Sequence, residues 1–474
     1  MNTEAMLAGG KWGLSLFFMV TLLAACATSL PKIEPEKLPQ PPAAFKEGDG
    51  RWTQAAPAEA QPRGEWWKAF ADPVLDDLVE RANRANTSIQ VAAARLAQAR
   101  AFVRATDAER SPQVGVGASA TRAQGIVGGT FVGPARNIFA TGADFSYEVD
   151  VFGRLSHATD AATLDAQAQE GLLQSARLLV QAQVAQTYLA LRALDDERAL
   201  VRSTVGAYRE TLTLTERRWR AGDVAELDVA RASTEVAATE SDALALDRQR
   251  AALEHALALL VGEVPSNFSV PIAQWASALP VVPAGLPSTL LTRRPDVSAA
   301  QQTMLAAQAR VGVAKAAYFP RVALTGTAGY ASTDISDLFE WSSRAWLLGA
   351  IASMPIFDGG RRKAGVESAS AQLEGEVVRY REQILVAFKD VEDELSSLRL
   401  LAEQSEAQGR AVQGASRTTS LSDTRYRNGY VSQLELLDAQ RSELRNRRQA
   451  LQVRAAQYQA TVALIRALGG GWGA

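Results

Sequence analysis

The residues best placed to do chemistry are arginines and acids that occur in two matching clusters. The first holds Arg217, Arg218 and Arg220, then Gly222 and Asp223, then Glu226 and Asp228. The second holds Arg425, Tyr426 and Arg427, then Gly429 and Tyr430, then Leu434, Glu435 and Asp438. Arginines before a glycine and acids after it mark one helix ending at a left-handed turn and the next beginning. Cations suit the carboxyl end of a helix dipole and anions its amino end. Capping electrostatics is therefore one complete reading. In the other, acids facing an axis shared by several copies form a ring of carboxylates, which favours cations and sets an aperture. Spacing alone leaves both open. Catalysis has little to work with. His157 and His255 stand in helical stretches with no triad or metal-ligand arrangement around them, no phosphate-binding loop is present, and no cofactor is implied.

The one cysteine, Cys26, belongs to a processing signal. Lys11 precedes an apolar run over residues 12–23, too short to cross a bilayer comfortably and suited to a signal-peptide core. The run ends Leu23-Ala24-Ala25-Cys26, which resembles a bacterial lipobox: residues 1–25 are removed and Cys26 is acylated. Ala27 and Thr28 follow where an Asp would signal inner-membrane retention, so sorting to the outer membrane is expected. An ordinary signal peptide with an incidental cysteine is the alternative, and either Met1 or Met6 could be the start. Residues 26–65, rich in Pro, Ala, Glu and Gln, read as an extended tether. Lys+Arg 50 against Asp+Glu 52 gives a net charge of -2, which offers nucleic acid nothing to bind.

The elements that position the clusters are themselves repeated, about 207 residues apart. Ser111-Pro112-Gln113-Val114 returns as Phe319-Pro320-Arg321-Val322, and Gly153-Arg154 as Gly360-Arg361. Each copy reads as an Ala-rich helix, a Pro, two alternating segments and two very long helices. Strands are expected at about 113–121 and 139–152, then at 321–331 and 345–357. In the second, Phe139, Ala143, Phe145, Tyr147, Val149 and Val151 alternate with Ala140, Gly142, Asp144, Ser146, Glu148 and Asp150. Segments of about 10 residues with one apolar and one polar face fit a membrane β-barrel. A soluble sandwich would show the same alternation. Four strands cannot close on themselves, and an open edge in lipid leaves backbone groups unsatisfied, so in a membrane several chains must pool them. A dimer would give a filled eight-stranded barrel, and a trimer twelve strands with a lumen. Segments 122–137 and 332–343 read as rim loops, and Tyr330, Trp341 and Trp346 as an interfacial girdle.

Long helices are expected at about 153–219, 224–261, 359–424 and 431–467. Leu437, Leu444, Leu451, Tyr458 and Ile465 recur every seven residues, which implies coiled-coil packing. Each copy thus supplies an antiparallel helical hairpin, and a wall of hairpins makes a hollow cylinder. The copies span residues 66–265 and 288–468, with a Pro-rich linker over 266–287 and a tail over 469–474.

Several motifs carry a family resemblance. They are Leu286-Pro287-Ser288 with Leu291, Arg293-Arg294-Pro295-Asp296-Val297, and Ala314-Lys315-Ala316-Ala317-Tyr318-Phe319-Pro320. Further on come Pro355-Ile356-Phe357-Asp358-Gly359-Gly360-Arg361, Arg425-Tyr426-Arg427-Asn428-Gly429, and Leu436-Leu437-Asp438-Ala439-Gln440-Arg441-Ser442. In this order they resemble the outer membrane factor family, the TolC-like exit ducts, and especially its OprM/NodT-like lipoprotein branch. The resemblance implies a mainly α chain with membrane β-structure: a homotrimer whose four strands per chain make a 12-stranded β-barrel, continuous with a long periplasmic α-helical coiled-coil barrel. A belt would use residues 72–84, 265–287 and 402–420. It implies a periplasmic membrane-fusion adaptor protein and an inner-membrane pump of the RND type as partners. By position, Leu434, Glu435 and Asp438 become the pore constriction. Asp228 and Tyr426, with Arg425 or Arg427, become the gate latch. The turns at Gly222, Asp223, Gly429 and Tyr430 become the adaptor-docking tips. Where TolC has an arginine two residues past the second-tip glycine, this chain has Val431, so the latch must differ. The competing class is a non-conducting coiled-coil structural lipoprotein or adhesin, which would have no use for the alternating strands.

Overall fold

The computed structural model describes residues 30–34, 36, 38–48, 64–127, 130–280, 282 and 293–470. Cys26 and the 1–25 signal peptide lie outside the described residues, as do residues 281 and 283–292, which hold Leu286, Pro287, Ser288 and Leu291 and the end of the 266–287 linker.

The order of elements follows the duplication. A 3-10 helix (Trp66–Phe70) and α1 (Pro73–Ala85) come first. The first copy is α2 (Thr87–Ala108), β1 (Gln113–Val127), β2 (Thr130–Val149), α3 (Arg154–Arg220) and α4 (Glu226–Leu260). The second copy is α5 (Pro295–Ala316), β3 (Arg321–Ser332), β4 (Arg344–Ser353), α6 (Arg361–Arg427) and α7 (Gln433–Ala467). Both α3 and α6 have 67 residues, α4 and α7 have 35, and α2 and α5 have 22. Positive-φ glycines punctuate both copies at the same spacing: Gly153, Gly222 and Gly262 in one, Gly360, Gly429 and Gly469 in the other.

The chain divides into two compact units, one drawn from residues 1–38, 95–170 and 299–381, the other from 39–94, 171–298 and 382–474. The first contains a four-stranded antiparallel sheet in the order β1-β2-β3-β4. Its register aligns the two faces predicted by alternation. Gly115, Asp144, Thr327 and Leu347 form one cross-strand row, and Val116, Ala143, Ala328 and Trp346 the next, on the opposite face. Gly142 faces Gly329 across β2 and β3. A Cβ on Gly142 would lie 2.6 Å from the Ala328 carbonyl oxygen, and one on Gly329 would strike that of Thr141. Only glycine permits this approach.

Three strand expectations need correction. Residues 122–137 are not a loop: β1 runs on to Val127 and β2 begins at Thr130, with a register shift between Ala123 and Gly125. Gly and Asn there imitate turn signals, but Ile126, Val127, Thr130, Phe131 and Val132 favour a strand once a partner is alongside. β2 stops at Val149, not at 152, because Asp150 turns to cap α3. Its carboxylate accepts from the backbone N–H of Leu155 at 3.0 Å and of Ser156 at 2.7 Å. β4 stops at Ser353, not at 357, since Pro355 supplies no N–H to a ladder. β4 also explains its own irregular alternation. Leu347 and Ile351 stand in the rows of Asp144 and Glu148, so both of its faces are apolar.

The 26–65 segment is not a free tether throughout. In the first unit Pro31 accepts a hydrogen bond from Gln308 at 2.7 Å. In the second, Phe45 is buried, Glu392 accepts from the backbone N–H groups of Lys46 and Glu47, and Glu47 pairs with Arg399 at 2.7 Å. An extended Pro-rich chain leaves its backbone donors unpaired, and a well-placed carboxylate can collect them.

The second unit is organised round buried charge. Asp195, with a side chain 1% exposed, accepts from Arg250 at 2.8 Å, Arg198 at 3.2 Å and Arg192 at 3.3 Å. Arg192 and Arg250 also donate to the carbonyls of Pro271 and Val270, which pins the linker to α3 and α4. Arg294 does the corresponding work for the second copy. It bonds Asp296, Asp390 and the Ala467 carbonyl, tying the start of α5 to α6 and to the end of α7.

Candidate functional site

The hairpin tips are built from local rules. α3 ends with Arg217, Arg218 and Arg220 in its last turn, and α6 with Arg425 and Arg427. Gly222 (φ 83) and Gly429 (φ 79) then take the left-handed conformation. The N–H of Asp223 donates to the Arg218 carbonyl at 2.9 Å, and that of Tyr430 to the Arg425 carbonyl at 2.8 Å, which closes the same six-residue cap in both copies. Ser432 caps α7 by accepting from the Glu435 N–H, whereas Ala225 gives α4 no side-chain cap.

Tyr426 is the buried residue of the second tip, 2% exposed. Its hydroxyl lies 3.2 Å from that of Thr215. The guanidinium of Arg218 sits 4.8 Å from the centre of its ring and donates to the carbonyls of Tyr426 and Arg427, each at 3.3 Å. One arginine of the first tip thus holds the end of the second. The other expected latch residues are arranged differently. Asp228 pairs with Arg231 at 3.7 Å, and Arg427 with Asp423 at 2.9 Å, while Arg425 is exposed. Among the described residues no ion pair joins Asp228 to Arg425 or Arg427.

Leu434, Glu435 and Asp438 lie on the first turns of α7, all exposed, and Tyr430 and Asp223 are exposed at the turns. Asp438 is 3.4 Å from Arg441, which also pairs with Glu235 of α4. That hydrogen bond with Glu235 raises the Arg441 guanidinium above its ordinary range. Arg448, one heptad on, bonds Glu197 at 2.7 Å and Asp242 at 3.2 Å. Sequence alone places Arg218 and Arg441 in a cluster or motif without a role as site residues, and does not single out Thr215 or Glu235. Arg218 also carries a signal as the repeat counterpart of Arg425; the pairings of Thr215, Glu235 and Arg441 carry none, because their partners lie about two hundred residues away.

The sheet, in the first unit, is a candidate site of its own. On its polar face Asp144 is accommodated by Gly115, where a Cβ would stand 2.7 Å from the carboxylate. Glu148 makes a bidentate pair with Arg154, both bonds 2.9 Å. On the opposite face Val114, Val116, Trp346 and Leu348 are exposed, and Trp341 is exposed in the β3–β4 turn. Among the described residues, β1 and β4 each have one unpaired edge. An apolar face and two open edges on one four-stranded sheet call for lipid and for further strands. Acids and arginines at the tips can attract or repel ions.

Comparison with known proteins agrees with this geometry. A family model described as outer membrane efflux protein matches twice, at residues 78–263 and 286–470, once for each copy. The solvent efflux pump outer membrane protein SrpC of Pseudomonas putida is 34% identical over 426 residues, 89% of this chain and 90% of its own. The cation efflux system protein CusC of Escherichia coli O6:H1 is 32% identical over 86% of this chain and 88% of its own. A solved structure of the outer-membrane channel OprN superposes with a TM-score of 0.85 at 30% identity, covering 94% of this chain and 99% of that one. Duplicated helical hairpins, an open-edged sheet and matches along nearly the whole chain lead to one assignment: this protein belongs to the outer membrane efflux protein family.

Proposed function

We propose that this chain is one subunit of a passive exit duct in the outer membrane, through which a tripartite pump discharges its cargo. Three copies would pool four strands each into a 12-stranded barrel, and their hairpins would form the periplasmic wall. The observation that carries this reading is the sheet: one apolar face, one polar face with Asp144 and Glu148, and two unpaired edges. The duct supplies no energy. A pump in the inner membrane, of the RND type, and a periplasmic adaptor would open it by engaging the turns at Gly222, Asp223, Gly429 and Tyr430. Leu434, Glu435 and Asp438 are proposed as the constriction, with the Arg218–Tyr426 clasp as its closest restraint and Asp228, Arg425 and Arg427 in lesser parts. Acylation at Cys26 would anchor each copy to the membrane. CusC is named for cation efflux and SrpC for solvent efflux, so membership of the family leaves the cargo to the pump.

Reconstitution into planar bilayers tests the proposal. A duct gives discrete conductance steps, and neutralising Glu435 and Asp438 together lowers its preference for cations. A coiled-coil spacer or adhesin gives no steps, and that outcome would remove the duct.

A further inference from the structure

Arg441 stands between two acids with very different surroundings. Glu235, on α4, has a side chain 16% exposed, and Asp438, one turn earlier on α7, is 62% exposed. One nitrogen of the guanidinium makes its close bond to the sheltered acid, and the other a longer one, 3.4 Å, to Asp438. An ion pair screened from water outweighs one at the surface, so the guanidinium's charge is committed mainly to Glu235. Of the other nearby charges, Glu443 pairs with Arg447 and Arg448 with Glu197 and Asp242, while Arg445 stands one turn further along α7. Tyr208 lies beside the pair, its buried hydroxyl without a hydrogen-bond partner among the described residues. A hollow of about 470 Å³ borders Glu235, Arg441, Tyr208 and Arg445, and gives the Arg441 side chain room to turn.

We infer that Arg441 sets how much charge Asp438 presents: seated on Glu235 it leaves Asp438 effective, and released from Glu235 it neutralises Asp438. Contact between α7 and α4 thereby adjusts the ion selectivity of the constriction, and Arg441 is a positioning residue for that selectivity. This rests on the duct reading above, in which Asp438 faces the conducted ions.

Two substitutions break the same bridge with opposite consequences. In E235Q the guanidinium has only Asp438 left to neutralise, so the cation-to-anion permeability ratio should fall, by about two-fold for one charge screened by water at pore distances. In R441Q nothing offsets Asp438, and the ratio should rise by about the same factor. R441K keeps the charge and should stay near the wild-type value, and in a D438N background neither E235Q nor R441Q should shift the ratio. The readout is the reversal potential in a salt gradient across a planar bilayer, on protein shown by native gel to assemble like the wild type. Shifts of the same sign in E235Q and R441Q, or none, would make the bridge a plain structural staple and overturn the inference. Wild-type protein that does not conduct would instead overturn the duct reading on which it rests.

Discussion

Removing Arg218 should loosen the tips more than removing any other single charge there. Arg218 contributes three contacts at once: a cation–π contact at 4.8 Å to a buried ring and two hydrogen bonds of 3.3 Å to carbonyls. A partly shielded cation–π contact is worth about 1–2 kcal/mol. Two long, partly exposed hydrogen bonds from a charged donor add about 1 kcal/mol together. Arg218→Ala should therefore weaken the clasped state by about 2–3 kcal/mol, which multiplies the ratio of unclasped to clasped protein about 30- to 150-fold. Tyr426→Leu keeps bulk but removes the ring, and the backbone hydrogen bonds from Arg218 survive it. A double-mutant cycle between the two substitutions therefore isolates the cation–π part, about 1–2 kcal/mol. Tyr426→Phe should cost about 1 kcal/mol at most, because Thr215 keeps its bond to the Thr211 carbonyl at 2.8 Å. The assay is the fraction of time a reconstituted channel spends conducting, for wild type, the single variants and the double. A coupling energy below about 0.3 kcal/mol, or an Arg218→Ala channel that conducts like wild type, would refute the reasoning.

Two further outcomes follow from the buried charges. Asp195→Ala leaves three guanidiniums without their shared acceptor and should destabilise the fold by about 3–5 kcal/mol, seen as a lower thermal midpoint by circular dichroism; an unchanged midpoint would dethrone Asp195 as keystone. At Asp296, burial pushes the carboxyl up, but the hydrogen bond and charge of Arg294 more than offset that and leave it below its ordinary value. Its stabilising contribution is therefore present above the unfolded value of about 3.9 and is lost as pH falls through the lower folded value. Asp296→Asn should flatten the fall in melting temperature across that acid window, and a fall as steep as wild type would contradict the assignment.

How far the sequence could be read depended on how local each signal was. The ends of α3 and α6 were legible because arginines, a positive-φ glycine and following acids act within one turn. The duplication was legible for a related reason: Gly222 and Gly429, or Gly153 and Gly360, need the same backbone conformation at matching places. The long first hairpin was not, since Gly125 and Asn137 look like turn residues until β1 and β2 are paired. Strand pairing is a non-local event, and local composition can mislead about it. The clasp was half legible. Tyr426 stood out by its place in a motif, but its partners Arg218 and Thr215 lie more than two hundred residues earlier, and only the folded chain brings them together. Val431 signalled a departure from the TolC pattern, but only the folded chain shows Arg218 of the first tip against Tyr426.

The central claim is that one chain supplies only part of a closed sheet and that copies complete it. Native mass spectrometry of protein extracted in mild detergent tests this most directly. Particles of three chains are expected, with monomers appearing only as the strand signal in circular dichroism is lost. Single-chain particles that keep their strand content would contradict it.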